Sequence, residues 1–178
     1  MPDSQDDSWE GSQDRRAQGG CQCGAIRYTA DLAEALTLYR CHCRECQKQS
    51  SSAFGLSMIL PEAAFEVTQG APESWSRGSD SGRPVHCFFC ATCGSRLYHT
   101  SPSRPGAVNL KPGTLDDASG LQPIGDVWTD SRQAWVDLLP DGLHYARQPA
   151  DMEALMARYR PKIKPRIQGS QKGGNAGS

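Results

Sequence analysis

Six short segments carry the alternating or continuous apolar pattern of β-strands, each bounded by Gly, Pro or Ser: Ala25 to Ala30, Leu36 to Arg40, Phe54 to Leu60, Val85 to Phe89, Ser95 to His99 and Ala107 to Leu110. Segments this short predict a mainly β protein of small twisted antiparallel sheets. Helical spacing is confined to the far end. There Asp151 is placed to cap a turn carrying Met152, Leu155, Met156 and Tyr159 on one face, until Pro161 stops it. A second helical turn is expected after Cys46, through QKQSS. The Met and Tyr residues of the C-terminal helix read as core contacts, and no internal repeat is present.

The flanks differ from this patterned middle. The first eighteen residues are polar and acidic with one Trp, and the last twelve are rich in Gly and Ser. The organisation expected is a disordered tail over 1–17, one β domain over 18–160, and a basic, Gly/Ser-rich tail over 161–178. A chain of 178 residues has length for one domain with a real core. No early apolar run resembles a signal peptide, and none approaches the roughly 18 residues of a membrane span, so a soluble, cytoplasmic protein is expected.

Charge narrows the partners. The formal net charge of −1 leaves no overall basic field to draw the molecule to nucleic acid. After Glu153 no acidic residue occurs, while Arg158, Arg160, Lys162, Lys164, Arg166 and Lys172 form a basic tail. Aromatic interleaving stops at Tyr159, so the plainer reading is a solvated extension.

Eight cysteines change the picture most. In a reducing compartment four disulfides are disfavoured, which leaves metal ligation or redox chemistry. They sort into Cys21 and Cys23; Cys41, Cys43 and Cys46 in CHCREC; and Cys87, Cys90 and Cys93 in CFFCATCG. Residues i and i+2 of an extended strand face one side, so Cys21 and Cys23 offer half of a tetrahedral site. The knuckle at Cys90 and Cys93, with Gly94 to permit a tight turn, offers the other half of a structural zinc site. A redox dithiol is the rival reading of CATC, although the strand expected after Gly94 argues against the helix start such dithiols use. Cys41, Cys43 and Cys46 supply three ligands, the number a catalytic zinc takes when it keeps one position open. A second closed site, or a redox pair at the start of the QKQSS turn, remains the alternative. His42 reads as a wall or supporting residue more than a ligand, and Cys87 as a buried thiol.

The runs GGCQCGAIRY, CHCRECQKQSSSAF, FFCATCGSRLYH, GTLDD and WTDSRQAW, in this order from Gln18 to Pro149, resemble the glutathione-dependent formaldehyde-activating enzyme family, which includes centromere protein V. The resemblance implies a tent-like zinc-binding β fold. It also implies a structural zinc on Cys21, Cys23, Cys90 and Cys93, and a labile zinc on Cys41, Cys43 and Cys46 at the active site. The chain departs from the family pattern at Ser50, Ser51 and Ser52, at Asp126 and at the additional Cys87. The implied activity is a carbon–sulfur lyase acting on a glutathione adduct of an electrophile such as formaldehyde. A thiol entering the open zinc position would lose its proton.

Glutathione carries two carboxylates and an ammonium. Arg44 and Lys48 are the nearest candidate contacts by sequence, with Arg96 and Lys111 as further ones. Asp116 and Asp117 are candidates for the ammonium or for turn capping, and Trp128 and Trp135 for pocket walls or core. Two other classes stay open: a non-catalytic zinc scaffold that binds a macromolecule, and a thiol redox or metal-buffer protein.

Overall fold

The computed structural model describes residues 16–79 and 82–160, and the tail expectations for 1–15 and 161–178 lie outside them. Two sheets hold the strands. The smaller runs β1 (Arg16–Gly20), β2 (Arg27–Asp31) and β5 (Phe65–Gln69) in the order β1-β2-β5, all antiparallel. The larger adds β3 (Thr37–Cys41), β4 (Gly55–Pro61), β6 (Glu73–Gly78), β7 (Pro84–Phe89), β8 (Arg96–Thr100), β9 (Ala107–Leu110), β10 (Gly125–Val127) and β11 (Leu143–Tyr145). Its order is β11-β10-β3-β4-β9-β8-β7-β6. The protein is mainly β, and the large sheet is mixed: β10 runs parallel to both β3 and β11, while its other pairs are antiparallel.

Two short helices accompany the sheets. The first, α1 (Arg44–Ser50), includes Cys46 instead of following it, because Cys43 is already its N-cap and accepts the Cys46 N–H on Sγ at 3.4 Å. The second, α2 (Glu153–Arg158), starts where Asp151 Oδ1 accepts the Glu153 N–H at 3.0 Å, and it buries Met152 and Leu155. Arg16 and Ala17, expected in the disordered tail, form the start of β1, where Ala17 packs against the core.

Strand alternation divides the core into two. Leu38, Met58, Leu60, Leu97 and Leu110 point from the large sheet toward Tyr28 and Ala30 of the small one, with Cys21 and Cys90 in the same cluster. Their neighbours Tyr39 and Ile59 point the other way and pack with Cys41, Cys46, Val127, Met152 and Leu155. The two thiol groups therefore sit in different cores, one on each face of the large sheet. Fully burying one such aliphatic side chain contributes roughly 1.5–3 kcal/mol.

Candidate functional site

Cys21, Cys23, Cys90 and Cys93 converge so that all four sulfurs lie within 4.8 Å of one another. The convergence differs from the strand logic expected for Cys21 and Cys23. Both lie in the turn after β1, where the Cys21 N–H donates to Ile26 O, the Gly24 N–H to Cys21 O and the Ile26 N–H to Cys21 Sγ. Opposite, the Gly94 N–H closes the second knuckle onto Cys90 O at 2.8 Å, and the positive φ of Gly94, 71°, suits glycine. Ser95 joins the halves, its Oγ accepting the Gln22 N–H at 3.0 Å and lying 3.2 Å from Cys93 Sγ. Tetrahedral zinc with bonds of about 2.3 Å sets sulfur–sulfur edges of about 3.8 Å. The separations of 3.5 Å for Cys21–Cys23 and 3.7 Å for Cys23–Cys90 fit that size.

Cys41, Cys43 and Cys46 form the second set, also within 4.8 Å. Three routes bring them together: the last residue of β3, the helix cap and the first turn of α1. Cys41 holds Cys46 well below the ordinary thiol range, with Cys43 next and the Lys111 and Arg96 charges assisting. Cys41 itself is pushed well above that range by Cys43, Cys46 and burial. Three thiols this close cannot all ionise without a cation between them. The set suits a soft divalent metal.

The CHC segment is clamped from outside. His42 is fully buried and its Nε2 lies 2.7 Å from Asp126 Oδ1. Asp126, also fully buried, accepts from Arg40 Nε at 2.6 Å, Arg40 Nη2 at 3.0 Å and the Leu139 N–H at 2.9 Å. His42 O accepts from Gln47 Nε2 at 2.6 Å and Ser131 Oγ at 2.9 Å. Ser131 rides on a turn opened by Trp128, whose φ of 63° is unusual for a bulky residue. Phe54 packs its ring edge-on to His42 and beneath the Arg40 guanidinium.

A cleft adjoins this set. Cavities of about 320 Å³ and 220 Å³ share Gln49 and Arg96 as common walls. The larger is also lined by Phe54, Gly55, Leu56 and Lys111. Gly55 stands between the cleft and the thiols: it lines the larger cavity, and a Cβ built there would lie 3.6 Å from Cys46 Sγ. Lys111 is 8% exposed and donates from Nζ to Ser57 Oγ at 2.9 Å. Burial, then the Arg96 charge, lowers it to about 7, against the opposing pull of Cys46 and Cys41. The buried Nε and Nη2 of Arg96 have no hydrogen-bond partner. Arg96 and, below about pH 7, Lys111 give the cleft a cationic wall.

Arg44 and Lys48 are exposed and line neither cavity. On α1 they stand four residues apart on one side, whereas Cys46 and Gln49 share another. Asp116 is held in a two-armed surface pair with Arg27, and Asp117 Oδ1 accepts the Ser119 N–H, a turn cap. Trp128 packs against the core that holds Cys41 and Cys46; Trp135 is 76% exposed. Cys87 is buried, as expected, but also lines the smaller cavity. Gln49, Gly55 and Ser57 were not singled out by motif. Their signal is two-residue alternation along β4 and three-residue spacing from Cys46.

These features define a mainly β protein built around two thiol clusters that can each hold a metal ion, one of them lying beside a cleft lined by Arg96 and Lys111. The family model for the glutathione-dependent formaldehyde-activating enzyme matches residues 16–131, and the chain belongs to that family. It is similar to a Halomonas elongata protein provisionally named a glutathione-dependent formaldehyde-activating enzyme, with 24% identity over 125 residues covering 68% of this chain and 80% of the relative. A crystal structure of a Rhodobacter sphaeroides protein is also similar, with 23% identity and a TM-score of 0.45, covering 60% of this chain and 91% of that one. Among the described residues no helix is long and apolar enough to cross a membrane.

Proposed function

We propose that the protein is a zinc-dependent carbon–sulfur lyase acting on the glutathione adduct, or a similar thiol adduct, of a small electrophile such as formaldehyde. One observation carries the reading: the three-thiol set meets, across the bare backbone of Gly55, a cleft holding Arg96 and Lys111. Family membership supports glutathione and formaldehyde as the reacting pair. In this reading Cys21, Cys23, Cys90 and Cys93 hold a structural zinc, and Cys41, Cys43 and Cys46 hold a labile one. A zinc ion in the second set would supply an open position at which a thiol loses its proton near neutral pH.

The chain's own residues do the rest. Arg96 and Lys111 take the carboxylates, which places the sulfur of the ligand toward Gly55 and Cys46. Phe54 and Leu56 exclude water from that wall. His42 is committed to Asp126 through Nε2, so it positions the CHC segment and is not the base. In the net reaction the C–S bond breaks, its electron pair returns to sulfur, the adduct's hydroxyl proton goes to solvent and the aldehyde leaves.

Three measurements follow. Protein saturated with zinc is expected to bind two ions, one surviving mild chelation and one lost; a single ion at saturation would remove the two-site reading. Zinc-loaded protein is expected to accelerate exchange between glutathione and S-hydroxymethylglutathione, seen by NMR magnetisation transfer, and no acceleration would remove the lyase reading. S-methylglutathione, which has no thiol proton, isolates the cleft. Its affinity is expected to fall as pH rises through about 7, where Lys111 loses its ammonium. Lys111→Met is expected to weaken binding at pH 6 by about tenfold and abolish that dependence. Unchanged affinity in the variant would move the anion elsewhere. The lowered Lys111 value also makes folding stability rise with pH between about 7 and 10.5, because across that window the unfolded chain keeps a proton the folded one has released.

A further inference from the structure

The smaller cavity is unexplained by a one-carbon electrophile. It is lined by Trp75, Cys87 and Phe89, and it shares Gln49 and Arg96 with the larger cavity as lining residues. Sheet register sets its face: Ile59, Asn109, His99, Cys87 and Trp75 stand opposite one another across five successive strands. Ile59 belongs to the core that holds Cys41 and Cys46, so this row shares their side of the sheet. Gln49, one helical turn after Cys46, donates from Nε2 to Cys87 Sγ at 3.5 Å, which ties the start of this arm to the helix carrying the thiol. The two arms differ in chemistry: the Lys111 arm is cationic, and the Trp75 arm is aromatic, with Trp75 47% exposed at the rim.

We propose that the Trp75 arm receives the carbon substituent of the electrophile, and that the substrate is the thiol adduct of an aldehyde bearing an apolar, ring-sized group. The inference rests on the cleft being the substrate site. A methylol group adds one carbon and one oxygen beyond the sulfur and would leave the arm filled with water. A cavity of about 150 Å³ accommodates a benzene ring, and this arm, at about 220 Å³, exceeds that. The carboxylates of the thiol are drawn to Arg96 and Lys111, so the sulfur near Gly55 directs its substituent toward Gln49 and the aromatic wall. The step is the same C–S cleavage: the electron pair returns to sulfur, the hydroxyl proton leaves to solvent, and the larger aldehyde departs without any change of oxidation state.

The test is calorimetric and needs no turnover. Zinc-loaded protein is titrated with S-benzylglutathione and with S-methylglutathione. The benzyl compound is expected to bind at least about tenfold tighter, as burial of a ring against Trp75 and Phe89 requires. Trp75→Ala, at an exposed rim position where folding is spared, is expected to bring the ratio close to one. A wild-type ratio near one would overturn the proposal. So would a ratio that survives Trp75→Ala, including the case in which both affinities fall together, since the peptide of glutathione would then occupy the arm. Catalysis separates this idea from the lyase reading. Acceleration of glutathione exchange with phenylacetaldehyde over formaldehyde supports both, while acceleration of formaldehyde alone overturns only the ring-sized substituent. If neither aldehyde exchanges, the substrate proposed here falls together with the lyase.

Discussion

Cys93→Ser is expected to yield insoluble or unfolded protein, whereas Cys46→Ser yields folded protein that binds one zinc fewer and catalyses no exchange. A structural zinc contributes on the order of 10 kcal/mol of folding free energy, about as much as the whole net stability of a domain this size. The four-thiol set ties the turn after β1 to the knuckle after β7, with Cys23 Sγ 3.7 Å from Cys90 Sγ across 67 residues of sequence. Cys46 stands in a different setting. It packs with Tyr39, Ile59, Val127, Met152 and Leu155, an apolar cluster expected to persist without its sulfur. Circular dichroism, solubility and zinc content measured on both variants decide the matter. A folded, active Cys93→Ser beside an unfolded Cys46→Ser would show that the two clusters have exchanged roles.

Asp126→Asn is expected to lower stability by about 3 kcal/mol. The carboxylate is fully buried and faces Arg40, whose side chain is 12% exposed, and the fully buried His42. Removing its charge strands the guanidinium in the interior, and an amide cannot accept from Arg40, His42 and the Leu139 N–H with the same strength. Burial alone would raise the Asp126 carboxyl, but Arg40, His42 and the Leu139 N–H outweigh it and hold the group below its ordinary 3.8. Its stabilisation is therefore present at neutral pH and is lost only as pH falls through that lowered value. Urea unfolding of zinc-loaded protein at pH 7 measures the effect, and a change below about 0.5 kcal/mol, the size of an ordinary surface substitution, would rule it out. Because Asp126 holds the ring between two ligands of the three-thiol set, chelation is expected to strip that site faster in the variant while leaving the four-thiol site intact.

The grouping of the thiols was legible from spacing because thiols that serve one ion must converge, and short C-x-C and C-x-x-C intervals leave few ways to do so. How they converge was less legible. Cys21 and Cys23 meet through a turn instead of an extended strand, since the Cys21 backbone pairs with Ile26 just beyond. The apolar strands were readable for the same reason that they are buried. The polar strand β6, ESWSRG, was not, because most of its residues face solvent at a sheet edge and no alternation marks it. The three-residue strands β10 and β11 are fixed by partners far along the chain, as in Asp126 opposite Arg40. Asp126 stood out as a departure from the family pattern, but its contact with His42 spans 84 residues and leaves no local trace. The same limit applies to the cations of the cleft: Arg44 and Lys48, the candidates nearest the cysteines in sequence, are exposed and line neither cavity, while the further candidates Arg96 and Lys111 line the larger one from β8 and the end of β9.

The chain order of the ligands has a consequence during synthesis. On a growing polypeptide the three-thiol set is complete once Cys46 has emerged, within six residues of its first member. The four-thiol set waits for Cys93, and the carboxylate that clamps His42 arrives only with Asp126. A nascent chain thus exposes a finished but unclamped thiol trio well before the scaffold can close around it. Metal supply at the ribosome would meet the three-thiol set first, and the four-thiol set only after half of the protein had been made.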